Sequence, residues 1–306
     1  MLLPRLIFAL VLLLISSDAL AKEPLQRAHP PSWSQDVLDA FFDDAREQLV
    51  GQRPSPTSIN TIQLSDVHKD TAPSAEEFRW SDLVDADTLT TEVKKINIAL
   101  LEVLSKPAVF KGGGNRDCRR DFCMLAVLFR SIANFDEEIR WQKSATTMQR
   151  KCQQASDFCK VASDQSYASA LKAQQLLGDL LQGQMAGSSD SPNQPIPLPD
   201  RPLLMQRMEM AYQESISPSL SGAREFRRKK TDISHEAQLL ALLAQVIRHE
   251  NYEFGDDETY LEYTNQLKEA SQSLHRACQD GIYEAARTAA GKISQSCSEC
   301  HEGYRG

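Results

Sequence analysis

Residues 282–306 read IYEAARTAAGKISQSCSECHEGYRG, and this stretch decides the fold expected for the chain. Apolar and small side chains recur in it at spacings of three and four, which is typical of one face of an α-helix. A stripe of this kind faces the inside of a helical bundle. It is formed by Ile282, Ala286, Ala289, Ile293, Cys297, Cys300 and Tyr304.

The same stretch contains a C-x-x-C-H motif, Cys297-Ser298-Glu299-Cys300-His301. This spacing is the attachment signature of a c-type haem, in which two thiols tether the macrocycle and the histidine binds the iron. On a helix Cys297 has Cys300 at i+3 and His301 at i+4, so the three side chains share one side. The alternatives are half of a zinc site or a redox dithiol. No second Cys/His cluster completes four zinc ligands, and no βαβ pattern surrounds the motif. We therefore expect one covalent haem c.

The rest of the chain predicts an all-α protein, because its apolar residues follow a helical period and no strand alternation is sustained. Residues 85–183 and 202–306 each divide into four helices, which predicts two antiparallel four-helix bundles in tandem. The segment 184–201 is rich in proline and serine and reads as a linker. Residues 22–84 are expected to form one helix, about 34–50, followed by a polar loop. The predicted later helices are about 88–105, 118–134, 137–158, 165–182, 202–217, 234–252, 258–280 and 282–304.

The two predicted bundles resemble each other, which indicates an internal duplication. Trp141, Met148 and Cys159 align with Tyr260, Leu267 and Cys278 at one constant offset. Where Cys297 stands in the second copy, the first has Leu181 and no C-x-x-C-H follows. The first bundle is therefore expected to be haem-free.

Four helices that end in C-x-x-C-H-x-x-Tyr-Arg resemble the class II c-type cytochromes, the cytochrome c prime family. The likeness covers about residues 203–306, and its specific part is the ending from Cys297 to Arg305. It implies a four-helix bundle with the haem among the helices and His301 as proximal iron ligand. It also assigns Tyr304 and Arg305 to the haem site.

The resemblance implies two further haem contacts in the first helix of the second bundle. Family members often have an arginine there beside a haem propionate, and Arg207 is the matching candidate. One turn later the family has a methionine or apolar residue, whereas this chain has Ala211, so the sixth ligand stays open. Helical spacing favours Met208 as that ligand, and the alternative is a methionine that does not bind iron. His249 and His275 are further alternatives.

Four cysteines fall in the haem-free half, at spacings too long for pairing along one helix. Two sequential antiparallel helices would place them as two rungs of one ladder. This predicts the disulfides Cys118–Cys159 and Cys123–Cys152, and the alternative is four buried thiols. Cys278 is expected to be a buried free thiol.

Residues 1–21 are typical of a secretory signal, with Arg5, an apolar run and an Ala19-Leu20-Ala21 cleavage site. An uncleaved anchor is the alternative. We expect a soluble, periplasmic product after cleavage, where redox partner proteins are available. The net charge of −8 argues against nucleic-acid binding. The expected function is electron transfer rather than enzymatic catalysis. Gas binding at an open distal haem site and a scaffold role in a periplasmic redox complex stay open, as does an intrachain pseudo-dimer of the two bundles.

Overall fold

The computed structural model describes residues 78–184 and 195–305, and this part of the chain is helical without any strand. The all-α prediction is confirmed there. The predicted signal peptide, the predicted helix at 34–50 and its following loop lie outside the described residues, as does most of the predicted linker. All described residues belong to one compact unit of the chain, bounded at residues 71–306. No helix in the described ranges combines the length and the apolarity needed to cross a bilayer.

Eight long helices follow one another in the described chain. The first four are α1 (Ala86–Leu104), α2 (Asn115–Ala133), α3 (Gln142–Phe158) and α4 (Asp164–Leu181). The next four are α5 (Arg201–Met210), α6 (Ala223–Val246), α7 (Glu258–Asp280) and α8 (Tyr283–Tyr304). Shorter turns join them: Trp80–Asp82 before α1, Pro107–Val109 and a π turn at Phe110–Gly114 before α2, and a π turn at Ala211–Ile216 followed by Ser217–Ser219 after α5.

Capping residues explain why some helix boundaries follow the sequence and others do not. α7 begins and ends as predicted, because the Asp257 side chain accepts from the Tyr260 backbone N–H and Gly281 ends the helix with φ 71°. α3 begins at Gln142 rather than 137, because Trp141 before it has a left-handed backbone with φ 69°. α6 begins at Ala223 rather than 234. The apolar pattern does not reveal its first turns, because they are polar and bury only two apolar side chains, Phe226 and Ile233.

The helices pack around a continuous apolar core that contains residues from both halves of the described unit. α2 lies along α3, and α7 lies along both α6 and α8. In the first half α1 also contacts α2 and α4. Between the halves, α2 contacts α5 and α1 contacts α6. The two halves therefore exclude water from one shared interior.

The described end of the predicted linker is bonded to both halves. The Tyr252 hydroxyl donates to the Pro199 carbonyl oxygen at 2.6 Å. The next residue, Asp200, forms an ion pair with Arg119 of α2. The Cys123 thiol of α2 also lies 3.8 Å from the Asp200 carbonyl oxygen. This segment consequently fixes the start of α5 against α2.

Replacing Gly255 by alanine should destabilise the protein. A Cβ there would press on the His249 carbonyl oxygen and lie 2.9 Å from the Glu250 Cα, both backbone atoms that cannot rotate away. We expect a loss of about 1–3 kcal/mol in the free energy of unfolding, as for other overpacked sites. Urea unfolding measures it.

The matched control for this prediction is Gly291→Ala on α8, where a Cβ would meet no atom within 4 Å. Alanine has a higher helix propensity than glycine, so this variant should be at least as stable as the parent. Equal stability of the two variants would contradict the tight turn at Gly255.

Candidate functional site

The C-x-x-C-H motif lies in the last turns of α8. Earlier on the same face, Ala286 and Ile293 are fully buried, so the predicted inward stripe is confirmed there. Its first predicted member, Ile282, is 52% exposed, because it precedes the helix at the N-cap. Towards the end the stripe becomes more accessible: Cys297 and Cys300 are partly buried and His301 is exposed. The motif therefore sits where the helix leaves the core, with its imidazole open to solvent.

The two motif cysteines are thiols that influence one another. Burial raises the pKa of Cys297 to about 11, and the neighbouring Cys300 contributes to the rise. Burial also raises the pKa of Cys300, whereas the charge of Arg201 lowers it. The two sulfurs are thus close together, and Cys300 lies within electrostatic reach of Arg201.

Aromatic rings surround the end of α8. The Tyr304 ring centroid lies 5.0 Å from that of Phe254, 5.4 Å from that of Tyr260 and 6.4 Å from that of Tyr263. These contacts are edge-to-face, an arrangement favoured by aromatic quadrupoles. Phe254 has a left-handed backbone with φ 68°, which is strained for an aromatic residue. The loop before α7 is therefore held in an unfavourable conformation that brings this ring to the cluster.

One carboxylate joins α7 to α8 beside these rings. Asp257 Oδ1 accepts a hydrogen bond from the Tyr260 backbone N–H at 3.0 Å and another from the Tyr304 hydroxyl at 2.7 Å. Both hydrogen bonds help to lower the pKa of Asp257. The end of the motif helix is thereby tied to the start of its neighbour.

Arg201, at the start of α5, completes this group and was not selected from the sequence. Its guanidinium carbon lies 5.4 Å from the Phe254 ring centroid and 5.9 Å from that of Tyr260. The same group donates to the Glu253 carbonyl oxygen at 2.6 Å and to the Glu253 carboxylate at 2.9 Å. A cation in the first turn of a helix is unfavourable, because the helix dipole is positive there. Such a position indicates that Arg201 is held by contacts outside its own helix.

Arg207, the predicted propionate partner, is engaged by carboxylates from both halves. Its guanidinium donates to Glu92 Oε1 of α1 at 3.0 Å and to Glu236 Oε2 of α6 at 2.8 Å. Glu92 also bonds His235 Nε2 at 2.8 Å through its other oxygen. Burial alone would raise the pKa of Glu92, but the hydrogen bonds to His235 and Arg207 and the Arg207 charge lower it to about 2.

This charged cluster has the ligand types of a metal site. The ligand atoms of Glu92, His235 and Glu236 all lie within 4.8 Å of one another. Arg207 already places a positive charge between the two carboxylates, so the cluster contains its own cation. Sequence reasoning missed the cluster because its members come from three helices far apart in the chain.

The other candidate ligands occupy different surroundings. Met208 is buried, with 7% of its surface exposed, as its helical position predicts. His275 Nδ1 bonds the Ser234 hydroxyl at 2.8 Å and the Gln238 amide nitrogen at 3.1 Å. His249 is partly buried and its Nδ1 accepts from the Asn251 backbone N–H at 3.2 Å. Arg305 is exposed beyond the end of α8.

The structure contains four buried thiols in place of the two predicted disulfides, Cys118–Cys159 and Cys123–Cys152. The helix pairing behind the prediction is present: α2 lies along α3, and the Asn115 side chain donates to the Cys159 carbonyl oxygen at 3.0 Å. Burial and the neighbouring Cys159 raise the pKa of Cys118, so these two thiols are close. The Cys123 thiol instead points to the Asp200 carbonyl oxygen. Cys278 is a buried free thiol, as predicted.

The donor set at the end of α8 fits a covalently held haem. Two thiols at i and i+3 and an imidazole at i+4 stand on one helix, and flat aromatic rings and the Arg201 cation stand beside them. The chain matches no family model, and comparisons with curated proteins and with solved structures found no match. The assignment of this site therefore rests on its own residues.

Replacing Asp121 by asparagine should stabilise the protein at neutral pH. Asp121 borders a cavity of about 240 Å³ next to Arg207, and burial raises the pKa of its carboxyl from 3.8 to about 6. The folded state therefore keeps a proton that the unfolded state has lost, and stability falls as the pH rises through this window. The variant should gain about 1–3 kcal/mol near pH 7.5 and little near pH 4.

Urea unfolding at both pH values measures this effect, with Asp179→Asn on the exposed face of α4 as control. The Asp121 variant also loses a 3.9 Å contact between its carboxylate and Arg120 Nε, which reduces the gain. A variant less stable than the parent at pH 7.5 would show that the ionised carboxylate is needed there.

Proposed function

We propose that this protein is an exported c-type cytochrome that binds one covalent haem c and transfers electrons in the periplasm. The observation that carries the proposal is the set Cys297, Cys300 and His301 on one helix end, with thiols partly accessible and the imidazole exposed. Soluble redox proteins are the partners, and no substrate-transforming site is assigned.

The proposed architecture is two antiparallel four-helix bundles in tandem, the second of the cytochrome c prime type. Residues 85–183 would form the haem-free bundle and residues 202–306 the haem-binding one. The contacts of α1 with α2 and α4, and of α7 with α6 and α8, support this division. The contacts between the halves support the intrachain pseudo-dimer. Residues 1–21 would direct export and be removed after Ala21.

Each residue near the motif has a role in this proposal. When bound, the haem iron supplies the one-electron chemistry. Cys297 and Cys300 would hold the group through thioether bonds, and the exposed His301 imidazole would be a ligand to its iron. Arg201 supplies a positive charge within electrostatic reach of Cys300. Arg207 is buried between two carboxylates, Glu92 and Glu236, whereas Arg201 pairs with one exposed carboxylate, Glu253, so Arg201 is the preferred cation near the motif.

The aromatic group gives the haem environment its shape. The rings of Tyr304 and Tyr260 lie near the motif thiols. Flat aromatic rings pack well against a flat macrocycle. The hydrogen bond from Tyr304 to Asp257 limits the movement of the last turn. A site that changes little on reduction favours electron transfer.

Gas binding is the second candidate function, and the small side chain of Ala211 favours it. Ala211 is buried one turn after Arg207, where the related family has methionine or another apolar residue. A small residue there leaves the iron face without a ligand unless Met208 supplies one.

A scaffold role would explain a first half without haem.

Replacing Cys297 or Cys300 by alanine should abolish stable covalent haem, since each thiol forms one of two tethers. The measurement is haem absorbance that persists after denaturation and acid–acetone extraction of protein matured in a periplasm. Cys278→Ala, which removes a buried thiol outside the motif, is the control and should keep its haem. Normal haem content in both motif variants would contradict the proposal.

Carbon monoxide should leave the spectrum of the reduced protein unchanged if Met208 is the second protein ligand of the iron, because a strong ligand would keep the gas out. Met208→Ala should convert the spectrum to one that shifts on carbon monoxide, whereas the control Met205→Ala should not. A parent protein that is high-spin and binds carbon monoxide would replace electron transfer by gas binding. A parent protein without haem would contradict both the electron-transfer and the gas-binding function.

A further inference from the structure

A second cavity, of about 330 Å³, lies between the ends of two helices that belong to different halves, and no residue of the C-x-x-C-H motif lines it. Arg130 is in the last turn of α2, and Arg248 and His249 follow the end of α6. Phe78 and Trp80, which precede α1, complete one side. The volume is at the lower end of the range for small-molecule sites.

Among the described residues, the wall of this cavity has cations and no carboxylate. Arg130 forms no ion pair within the described residues, and Arg248 donates only to the neutral Asn265 Oδ1, at 3.2 Å. Two guanidinium groups without an ion pair among the described residues thus border one cavity, in a chain whose net charge is −8.

Neighbouring groups do not cancel this charge. Burial lowers the pKa of Lys268, and nearby Arg248 lowers it further, so a second cation borders Arg248. Glu269, the acid beside Lys268 in the chain, accepts from the Asn265 amide at 2.8 Å. The C-terminal ends of α2 and α6 each contribute about half a negative charge, less than two guanidinium groups supply.

Aromatic rings give the cavity a flat apolar side. The ring centroids of Phe78 and Trp80 lie 5.1 Å apart, edge to face. The indole is partly buried and Phe78 is 48% exposed, so the pair is accessible from the cavity. A flat ligand could therefore lie on the rings while its charged end meets the arginines.

We propose that this cavity binds a small carboxylate with a flat apolar body, such as an aromatic monocarboxylate. Arg130 and Arg248 would hold the carboxylate by charge-assisted hydrogen bonds, the strong class for this pair. Trp80 and Phe78 would contact the flat body. The Asn134 amide nitrogen, which donates one hydrogen to the Arg130 carbonyl oxygen at 2.7 Å, has a second hydrogen to offer the remaining carboxylate oxygen. The cavity lining includes none of Cys297, Cys300 and His301, and the proposal goes beyond electron transfer.

Isothermal titration of the full chain with benzoate tests the proposal, with benzamide as the uncharged match. Benzoate should bind with a dissociation constant of about 1 mM or lower. Arg130→Gln and Arg248→Gln should each weaken binding about tenfold, the loss expected for one charged hydrogen bond. Arg228→Gln, an exposed arginine on α6 paired with Glu225, is the control and should bind as the parent does.

Two further measurements keep the outcome unambiguous. Circular dichroism melts show whether each variant is folded, and Trp80→Leu should lose the preference for benzoate over acetate. Equal binding of benzamide, or undiminished binding by both folded arginine variants, would overturn the proposal. Binding of inorganic phosphate without benzoate would also overturn it, because the flat body would then play no part.

Discussion

A buried guanidinium shared between two halves of the chain is the interaction on which this structure depends. Arg207 lies between Glu92 of α1 and Glu236 of α6, and Glu92 is also held by His235. Charges removed from water are costly unless they are paired and hydrogen-bonded, so loss of any partner would leave another unsatisfied. The relative positions of α1, α5 and α6 are thereby fixed to one arrangement.

The motif helix is positioned through this arrangement. α5 begins at Arg201 and carries Arg207 about two turns later. The same helix therefore contacts both the surroundings of Cys300 and the shared charge cluster. α8 adds its own attachment through Tyr304, whose ring packs on Phe254 and Tyr260. The candidate haem site thus depends on the fit between the halves as well as on its local residues.

The sequence predicts what is local and periodic, and it fails where distant residues decide. α7 has the predicted ends because Asp257 and Gly281 are explicit capping residues. The helical stripe through Ala286 and Ile293 is likewise visible in the spacing. Neither the pairing of Arg207 with Glu92 nor the approach of Arg201 to Cys300 can be inferred without knowing how the helices cross. A charged side chain shows no sequence signal of the partner it meets.

Asp257 has a consequence for how this protein can vary. Its carboxylate caps the start of α7 by accepting from the Tyr260 backbone N–H. It also holds the end of α8 by accepting from the Tyr304 hydroxyl, 47 residues away in the chain. A change at Asp257 therefore removes both functions, and a change at Tyr304 removes part of what Asp257 contributes, so the two effects overlap instead of adding. Related chains should accordingly exchange these two positions in concert, and a lineage that loses one has little reason to keep the other.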